Sequence, residues 1–121
     1  MSTEINLFRH SRVTRELAVG QRLFSSGDDG DSMFSVLEGS IELYDGLRLV
    51  ETVHVGGIIG ELALIDRAPR SLHAVAAAPT NVAIVDEAEF TYLAQNHPTF
   101  ALLVMRSMAE RLRRNTDNQQ S

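Results

Sequence analysis

The stretch MFSVLEGSIELYDGLRLVETVH, residues 33–54, decides the fold of this chain. Apolar and polar residues alternate along most of it, and the alternation breaks at Gly39 and at the pair Asp45-Gly46. Alternation of this kind predicts a strand with one buried face, and an Asp-Gly pair favours a tight hairpin turn. We therefore predict three strands here, joined by one hairpin at Gly39 and a second at Asp45-Gly46.

The strand pattern continues on both sides of this stretch. Short alternating runs separated by Gly, Asp and Asn extend over about 13–85, and two of them, at about 73–77 and 81–85, predict further strands. Many short strands at this spacing are typical of a sheet that rolls up or packs as a sandwich, because either arrangement hides the strand edges. The sequence thus predicts a mainly β domain.

After the last predicted strand the pattern becomes helical, so that the domain is mainly β with C-terminal helices. Asp86 is suited to cap a helix over about 87–95. Pro98 stands at a favoured first-turn position and begins a second helix over about 98–114. Apolar residues recur along that helix as one predicted stripe: Ala101, Val104, Met105, Met108, Ala109 and Leu112. The polar segment 115–121 is predicted to be a disordered tail.

Composition excludes several classes of protein. The chain has 121 residues, the size of one domain, and its net charge of -5 argues against a nucleic-acid surface, which would concentrate basic residues. It has no cysteine, which excludes disulfides and thiolate-bound clusters. We find neither a signal-peptide pattern nor a run of about 18 apolar residues. We therefore expect one cytoplasmic domain, over 1–114, that binds neither nucleic acid nor membrane.

One segment between two predicted strands has the composition of an anion site. Residues 56–71 read GGIIGELALIDRAPRS, which predicts a loop, a short helix and the start of a strand. A helix that begins beside Gly60 offers unpaired N–H groups to an anion. Arg70 and Ser71 re-enter the sheet near that helix end and could add a guanidinium and a hydroxyl. Glu61 instead suits a neutral donor, such as a sugar hydroxyl.

This segment resembles the phosphate-binding cassette of the cyclic-nucleotide-binding domain family, which includes catabolite activator proteins, kinase regulatory subunits and gated channels. The sequences GELAL at 60–64 and PRS at 69–71 carry the resemblance, which extends over about 13–114. We call residues 60–71 the cassette. The resemblance implies an eight-stranded antiparallel β-roll, jelly-roll-like, with a short cassette helix and two closing helices.

The resemblance also implies a ligand, cAMP or cGMP, and the residues that bind it. Glu61 is implied to bind the ribose 2'-hydroxyl and Arg70 the cyclic phosphate. The implied ligand-binding residues are Gly60, Glu61, Leu62, Ala63, Arg70, Ser71 and Leu72. The last helix is implied to act as a lid over the base, with candidate base contacts at Val50, Val104, Met105 and Met108.

Two implications concern selectivity and the shape of the pocket. We expect cAMP to bind at least as well as cGMP, because activator-type relatives with a serine at the position of Ser71 prefer cAMP. Leu72 and His73 depart from the small residue and the threonine that are usual in the family, and both could narrow the pocket. Any N-terminal helix of the family type is confined to 2–12.

The expected function is that of a receptor domain with no catalytic residue, cofactor or metal. We expect no helix-turn-helix, kinase or channel to accompany it, and we therefore expect lid movement to signal to an unidentified effector protein or to a homodimer formed through the C-terminal helix. An alternative is a β-roll that has lost nucleotide binding and acts as a docking or dimerisation module. A hydrolase using Ser71 and His73 is disfavoured because no nucleophile elbow surrounds the serine. The acidic turn at 28–31 lacks the other ligands of a calcium loop.

Overall fold

The computed structural model describes the backbone of residues 13–120 and the side chains of residues 13–114. The strands are β1 (Thr14–Leu17), β2 (Arg22–Phe24), β3 (Met33–Glu38), β4 (Ser40–Asp45), β5 (Arg48–His54), β6 (Ile58–Ile59), β7 (His73–Ala76) and β8 (Thr80–Val85). The helices are α1 (Glu61–Ile65), α2 (Glu87–Asn96) and α3 (Pro98–Gln120). The predicted eight strands, cassette helix and two closing helices are confirmed. The N-terminal helix, predicted to be confined to residues 2–12, lies outside the described residues.

The strands form two antiparallel sheets of four strands each, in the orders β1-β8-β3-β6 and β2-β7-β4-β5. The first strand pairs with the last, with Leu17 opposite Thr80, so that the two ends of the roll lie side by side. Both sheets supply one apolar core, formed by Leu17, Leu23, Phe34, Val36, Ile41, Leu43, Val53, Ile59, Ala74, Ala76 and Val82. In β4 the predicted alternation is clear, because Ile41 and Leu43 are buried and Glu42 between them is not.

The chain changes sheets at Gly39, where the sequence predicted a hairpin. β3 pairs with β8 and β6 whereas β4 pairs with β5 and β7, so the hairpin prediction at this position is wrong. The reason is close contact: Gly39 has a φ of 81°, and a Cβ there would lie 2.4 Å from the carbonyl oxygen of Pro79. Only a residue without a side chain fits this crossing. The second predicted hairpin is confirmed, with Asp45 opposite Arg48 across the turn.

The closing helices cover the outer face of the β1-β8-β3-β6 sheet. Asp86 caps α2 as predicted, since its Oδ1 accepts a hydrogen bond from the backbone N–H of Glu89 at 2.8 Å. A second apolar cluster joins the helices to that sheet, and its members are Met33, Ile58, Leu64, Ala83, Val85, Leu93, Phe100 and Val104. The roll therefore buries apolar residues on both faces of this sheet.

α3 is longer than the sequence predicted. The prediction ended this helix at 114 and left 115–121 as a disordered tail, whereas the backbone remains helical to Gln120. The segment 115–120 contains neither proline nor glycine. Because each residue added to a helix gains a hydrogen bond, nothing in this segment forces the helix to end at 114. The backbone of 115–120 is thus helical and is not the predicted tail.

The apolar residues of α3 lie on two sides of the helix and do not form the single predicted stripe. Phe100 and Val104 are buried, and Met108 packs against the same cluster. Met105 and Leu112 are 58% and 68% exposed. Successive residues of a helix are rotated by about 100°, so Met105 faces away from the cluster that Val104 enters. One side of α3 is therefore packed on the roll, and another presents apolar side chains to solvent.

Candidate functional site

A cavity of about 760 Å³ opens between the β4-β5 hairpin, the cassette and the second half of α3. Its volume is within the range of about 300–1,000 Å³ that is typical of small-molecule sites. All the residues implied to bind the ligand line this cavity: Gly60, Glu61, Leu62, Ala63, Arg70, Ser71 and Leu72. The fold brings these residues together around one space, and their roles toward a ligand remain predictions.

Only part of the predicted base-contact set lies at the cavity. Val50 and Met108 line it. Val104 is 1% exposed inside the second apolar cluster, and Met105 is exposed on the solvent side of α3. Neither of these two residues borders the cavity, because Val104 enters the second apolar cluster and Met105 lies on the solvent side of α3. The candidate base contacts are therefore reduced to Val50 and Met108.

The cassette begins with a tight turn at Gly60, immediately before α1. The φ of Gly60 is 78°, in the left-handed region that favours glycine. A Cβ at this position would lie 2.4 Å from Nη1 of Arg70. Glycine is thus required here both by the backbone conformation and by the approach of the arginine. α1 then buries Glu61, Ala63 and Leu64 and leaves Leu62 partly exposed at the cavity.

Arg70 is almost completely buried, with 7% of its surface exposed. Its Nη1 donates a hydrogen bond to the carbonyl oxygen of Gly60 at 3.0 Å, and its Nη2 donates to the carbonyl oxygen of Ser32 at 2.9 Å. The guanidinium carbon lies 4.5 Å from the ring centroid of Phe24 and 5.3 Å from that of Phe34. Two carbonyls and two aromatic rings therefore fix this cation at the wall of the cavity.

The electrostatic surroundings of Arg70 come from the loop between β2 and β3 as well as from the cassette. Removal from water lowers the pKa of Arg70, and the carboxylates of Asp31, Asp28 and Glu61 oppose that shift. Gly30 in the same loop lies against the guanidinium, because a Cβ there would be 2.6 Å from three of its atoms. No pattern in the sequence indicates this contact, since Gly30 and Arg70 are far apart along the chain.

Arg111 on α3 reaches the cassette and was not predicted from the sequence. Its Nη1 donates to Oε1 of Glu61 at 2.8 Å, and its Nε and Nη2 donate to the two carboxylate oxygens of Glu51 at 3.1 and 3.3 Å. Nη2 also donates to the carbonyl oxygen of Ile58. Arg114 lies 3.4 Å from Oε1 of Glu51. These ion pairs and hydrogen bonds connect α3 to β5, β6 and α1.

The Arg111 cluster is mostly shielded from solvent. The side chain of Arg111 is 19% exposed and that of Glu61 is 7% exposed. Burial alone would lower the pKa of Arg111, but attraction to Glu61 and Glu51 and hydrogen bonds to both raise it. One sequence signal was available: Val104, Met108 and Arg111 follow at four- and three-residue steps, which places them on one face of a helix.

Among the described residues, the side chains considered for hydrolysis or metal binding are not arranged for either role. Nδ1 of His73 accepts a hydrogen bond from the backbone N–H of Ser26 at 3.2 Å, and the hydroxyl of Ser26 donates to the carbonyl oxygen of Ser71. His73 is therefore engaged by the loop and not by the hydroxyl of Ser71. Among the described residues no group of His, Asp and Glu side chains is arranged to hold a metal ion. Within the same residues, no helix combines the length and the apolar character needed to cross a membrane.

Comparison with known proteins gives a consistent result. A family model described as the cyclic nucleotide-binding domain matches residues 14–97. The cAMP-dependent protein kinase regulatory subunit of Eremothecium gossypii is 40% identical over 58 residues, which are 48% of this chain and 13% of that protein. The chain thus spans only a small part of the length of this curated relative.

Two solved structures share the fold over most of the chain. One comes from work on a cyclic-GMP-dependent signalling pathway that regulates bacterial phytopathogenesis; it has a TM-score of 0.77 and 31% identity, with 89% of this chain and 92% of that chain covered. The catabolite activator protein of Thermus thermophilus has a TM-score of 0.80 and 25% identity, with 88% and 53% covered. The similarity therefore extends over nearly nine tenths of the chain in both comparisons.

Proposed function

Because the chain belongs to the cyclic nucleotide-binding domain family, we propose that it binds one 3',5'-cyclic nucleotide in the cavity beneath α3. The observation that carries this proposal is that a buried arginine, Arg70, and a buried glutamate, Glu61, line the same cavity. A cation that has lost water gains more from an anionic ligand than an exposed one does. A cyclic phosphate supplies that anion, and its ribose supplies a hydroxyl for the glutamate.

The proposed roles follow the chemistry of each group. Arg70 binds the phosphate, because a guanidinium donates to phosphate oxygens in a bidentate manner. Glu61 accepts a hydrogen bond from the ribose 2'-hydroxyl. The base lies between Val50 and Met108, which are the apolar residues available from β5 and α3. The domain binds its ligand and carries out no chemistry on it.

Selectivity between the two nucleotides is the finer part of the proposal. The Eremothecium gossypii relative is a cAMP-dependent kinase subunit, and the bacterial structure belongs to a cyclic-GMP-dependent pathway. Ser71 lines the cavity directly after Arg70 and is exposed, so its hydroxyl is available to a base. We propose that cAMP binds at least as well as cGMP, in keeping with activator-type relatives that have serine here.

The output of binding is proposed to pass through α3. This helix borders the cavity with Met108, Ala109 and Arg111, so a bound ligand that contacts α3 would favour the position of the helix in which that contact is made. Its solvent side carries the exposed residue Met105, which suits a contact with a second copy of the chain or an effector protein. Either partner would detect the ligand through the position of the helix.

Calorimetric titration with cAMP, cGMP and 5'-AMP tests the proposal. We expect both cyclic nucleotides to bind at one site and cAMP to bind no more weakly than cGMP. The noncyclic nucleotide should bind more weakly, because its phosphate has a different shape and charge. Absence of binding by all three would favour the alternative, a β-roll that has lost its ligand and serves in docking or dimerisation. A strong preference for cGMP would contradict the proposed selectivity alone.

A further inference from the structure

The loop between β2 and β3 holds the main chain of Arg70 as well as its side chain. The backbone N–H of Arg70 donates to the carbonyl oxygen of Asp28 at 2.8 Å, and its carbonyl oxygen accepts from the backbone N–H of Gly27 at 2.7 Å. The same loop supplies the carbonyl oxygen of Ser32, which accepts from Nη2 of Arg70. The position of the proposed phosphate ligand therefore depends on residues 25–32, which we call the arginine loop.

The start of the arginine loop is attached to β7 through His73. The backbone N–H of Ser26 donates to Nδ1 of His73 at 3.2 Å, and the hydroxyl of Ser26 donates to the carbonyl oxygen of Ser71 at 3.4 Å. A histidine nitrogen accepts a hydrogen bond only while it carries no proton, so the contact with Ser26 requires the neutral imidazole. His73 thus connects the strand that follows Arg70 to the loop that holds Arg70.

The charges around His73 determine what its protonation would do. Nη1 of Arg22 on β2 lies 3.5 Å from Nδ1 of His73, so an imidazolium would stand beside a guanidinium. Tyr44 on β4 is opposite His73, and a phenol is neutral below about pH 9. Glu42 lies on the same face of that sheet, and the carboxylate of Asp28 accepts a backbone hydrogen bond within the loop. These two carboxylates can reduce the repulsion from Arg22, but neither restores an acceptor at Nδ1.

We propose that His73 is a positioning residue for the phosphate-binding arginine, because its neutral form holds the arginine loop against Arg70 and its protonation releases the start of that loop. The inference rests on the proposed function and adds a dependence of nucleotide affinity on pH. Histidine is the side chain whose charge ordinarily changes between pH 5 and pH 8. The phosphodiester of a cyclic nucleotide keeps its single charge over that range. Affinity should therefore be full at pH 8 and reduced at pH 5.5.

A histidine that only filled space on β7 would behave differently. The affinity would then follow the volume of the side chain at this position and not the pH. Asparagine carries an oxygen near the position of Nδ1 and does not titrate, whereas valine suits a strand but offers no acceptor. His73→Asn therefore keeps the acceptor at every pH, and His73→Val removes it at every pH.

The test is calorimetric titration of the full chain with cAMP at pH 8 and at pH 5.5. The wild-type affinity should fall about threefold or more at the lower pH, which is part of the effect of one neutral hydrogen bond. His73→Asn should bind as the wild-type protein does at pH 8, with the same affinity at both pH values. His73→Val should bind about threefold more weakly than the wild-type protein at pH 8, again without dependence on pH. His54→Asn is the matched control, because His54 is an exposed histidine at the end of β5, and it should retain the wild-type pH dependence.

The outcomes separate this inference from the proposed function. Equal wild-type affinities at the two pH values, or the same loss at pH 5.5 in His73→Asn, would overturn the inference and leave nucleotide binding intact. Failure of the wild-type protein to bind cAMP at pH 8 would overturn the proposed function and the inference with it.

The amide resonance of Ser26 gives a second measurement if His73→Val does not fold. This N–H donates to His73, so its resonance should shift between pH 8 and pH 5.5 in the wild-type protein. In His73→Asn it should shift much less, because the acceptor there does not titrate. A Ser26 resonance that responds to pH equally in both proteins would contradict positioning of the loop by His73.

Discussion

Replacement of Gly30 by alanine should weaken nucleotide binding although Gly30 lies outside the cassette. The new Cβ would stand 2.6 Å from the Cζ, Nε and Nη2 atoms of Arg70. These atoms are the end of a flexible side chain, so the guanidinium and not the backbone should move. Gly30→Ala therefore displaces the proposed phosphate-binding group without changing its chemistry.

The size of the effect follows from this contact. An ordinary separation of 3.4 Å requires the guanidinium to move by about 0.8 Å, which stretches its 2.9 Å hydrogen bond to the carbonyl oxygen of Ser32. A hydrogen bond to a charged group contributes about 1.5–3 kcal/mol. We expect the displaced guanidinium of Arg70 to lose roughly half the free energy of one such hydrogen bond to the phosphate. The affinity should then fall about five- to tenfold. Alanine stabilises by about 0.4–1 kcal/mol through the unfolded chain, so the free energy of unfolding should change little.

The assay pairs calorimetric titration with cAMP and denaturant unfolding of the same preparations. Asp29→Ala is the matched control, because Asp29 is exposed in the same loop and is not among the carboxylates that act on Arg70. We expect it to bind cAMP as the wild-type protein does. A folded Gly30→Ala protein with wild-type affinity would refute the reasoning, since the guanidinium would then be free to move without consequence.

Two further substitutions test the site and the roll. Glu61→Gln should weaken cAMP binding about three- to tenfold, less than loss of the phosphate ligand, because the amide still accepts from a hydroxyl but the charge-assisted part is lost; titration measures this, and wild-type affinity would contradict the ribose role. Gly39→Ala should lower the free energy of unfolding by more than about 1 kcal/mol, since its Cβ would lie 2.4 Å from the carbonyl oxygen of Pro79 at a φ of 81°. Denaturant unfolding checks this, and unchanged stability would show that the sheet crossing tolerates a side chain.

The parts of the fold that could be predicted depend on neighbours in sequence. Alternation predicted the strands, and the turn at Asp45-Gly46 and the cap at Asp86 follow from local chemistry. The order of the strands in the two sheets depends instead on pairing between distant parts of the chain. Gly39 looked like a second hairpin because its flanking residues alternate, but β3 and β4 pair with strands that are distant along the chain and lie in different sheets.

The same distinction applies to the site. Glu61 and Arg70 both line one cavity, and their roles toward a ligand stay predictions. Gly30 and Arg111 could not be assigned in this way, because each acts across an interface between segments that are distant along the chain. Met105 was misplaced because an apolar residue on a helix does not reveal which side of that helix the roll covers.

The most direct measurement compares cAMP binding by Arg70→Ala and by the wild-type protein. Arg70 is buried, so water screens its contact with a phosphate little, and its loss should cost about 1.5–3 kcal/mol or more. We predict an affinity loss of about tenfold to more than a hundredfold. Arg67→Ala is the control, since Arg67 lies in the same segment but pairs with Glu87 at the surface, and it should bind normally. Wild-type affinity in a folded Arg70→Ala protein would contradict nucleotide binding at the cassette.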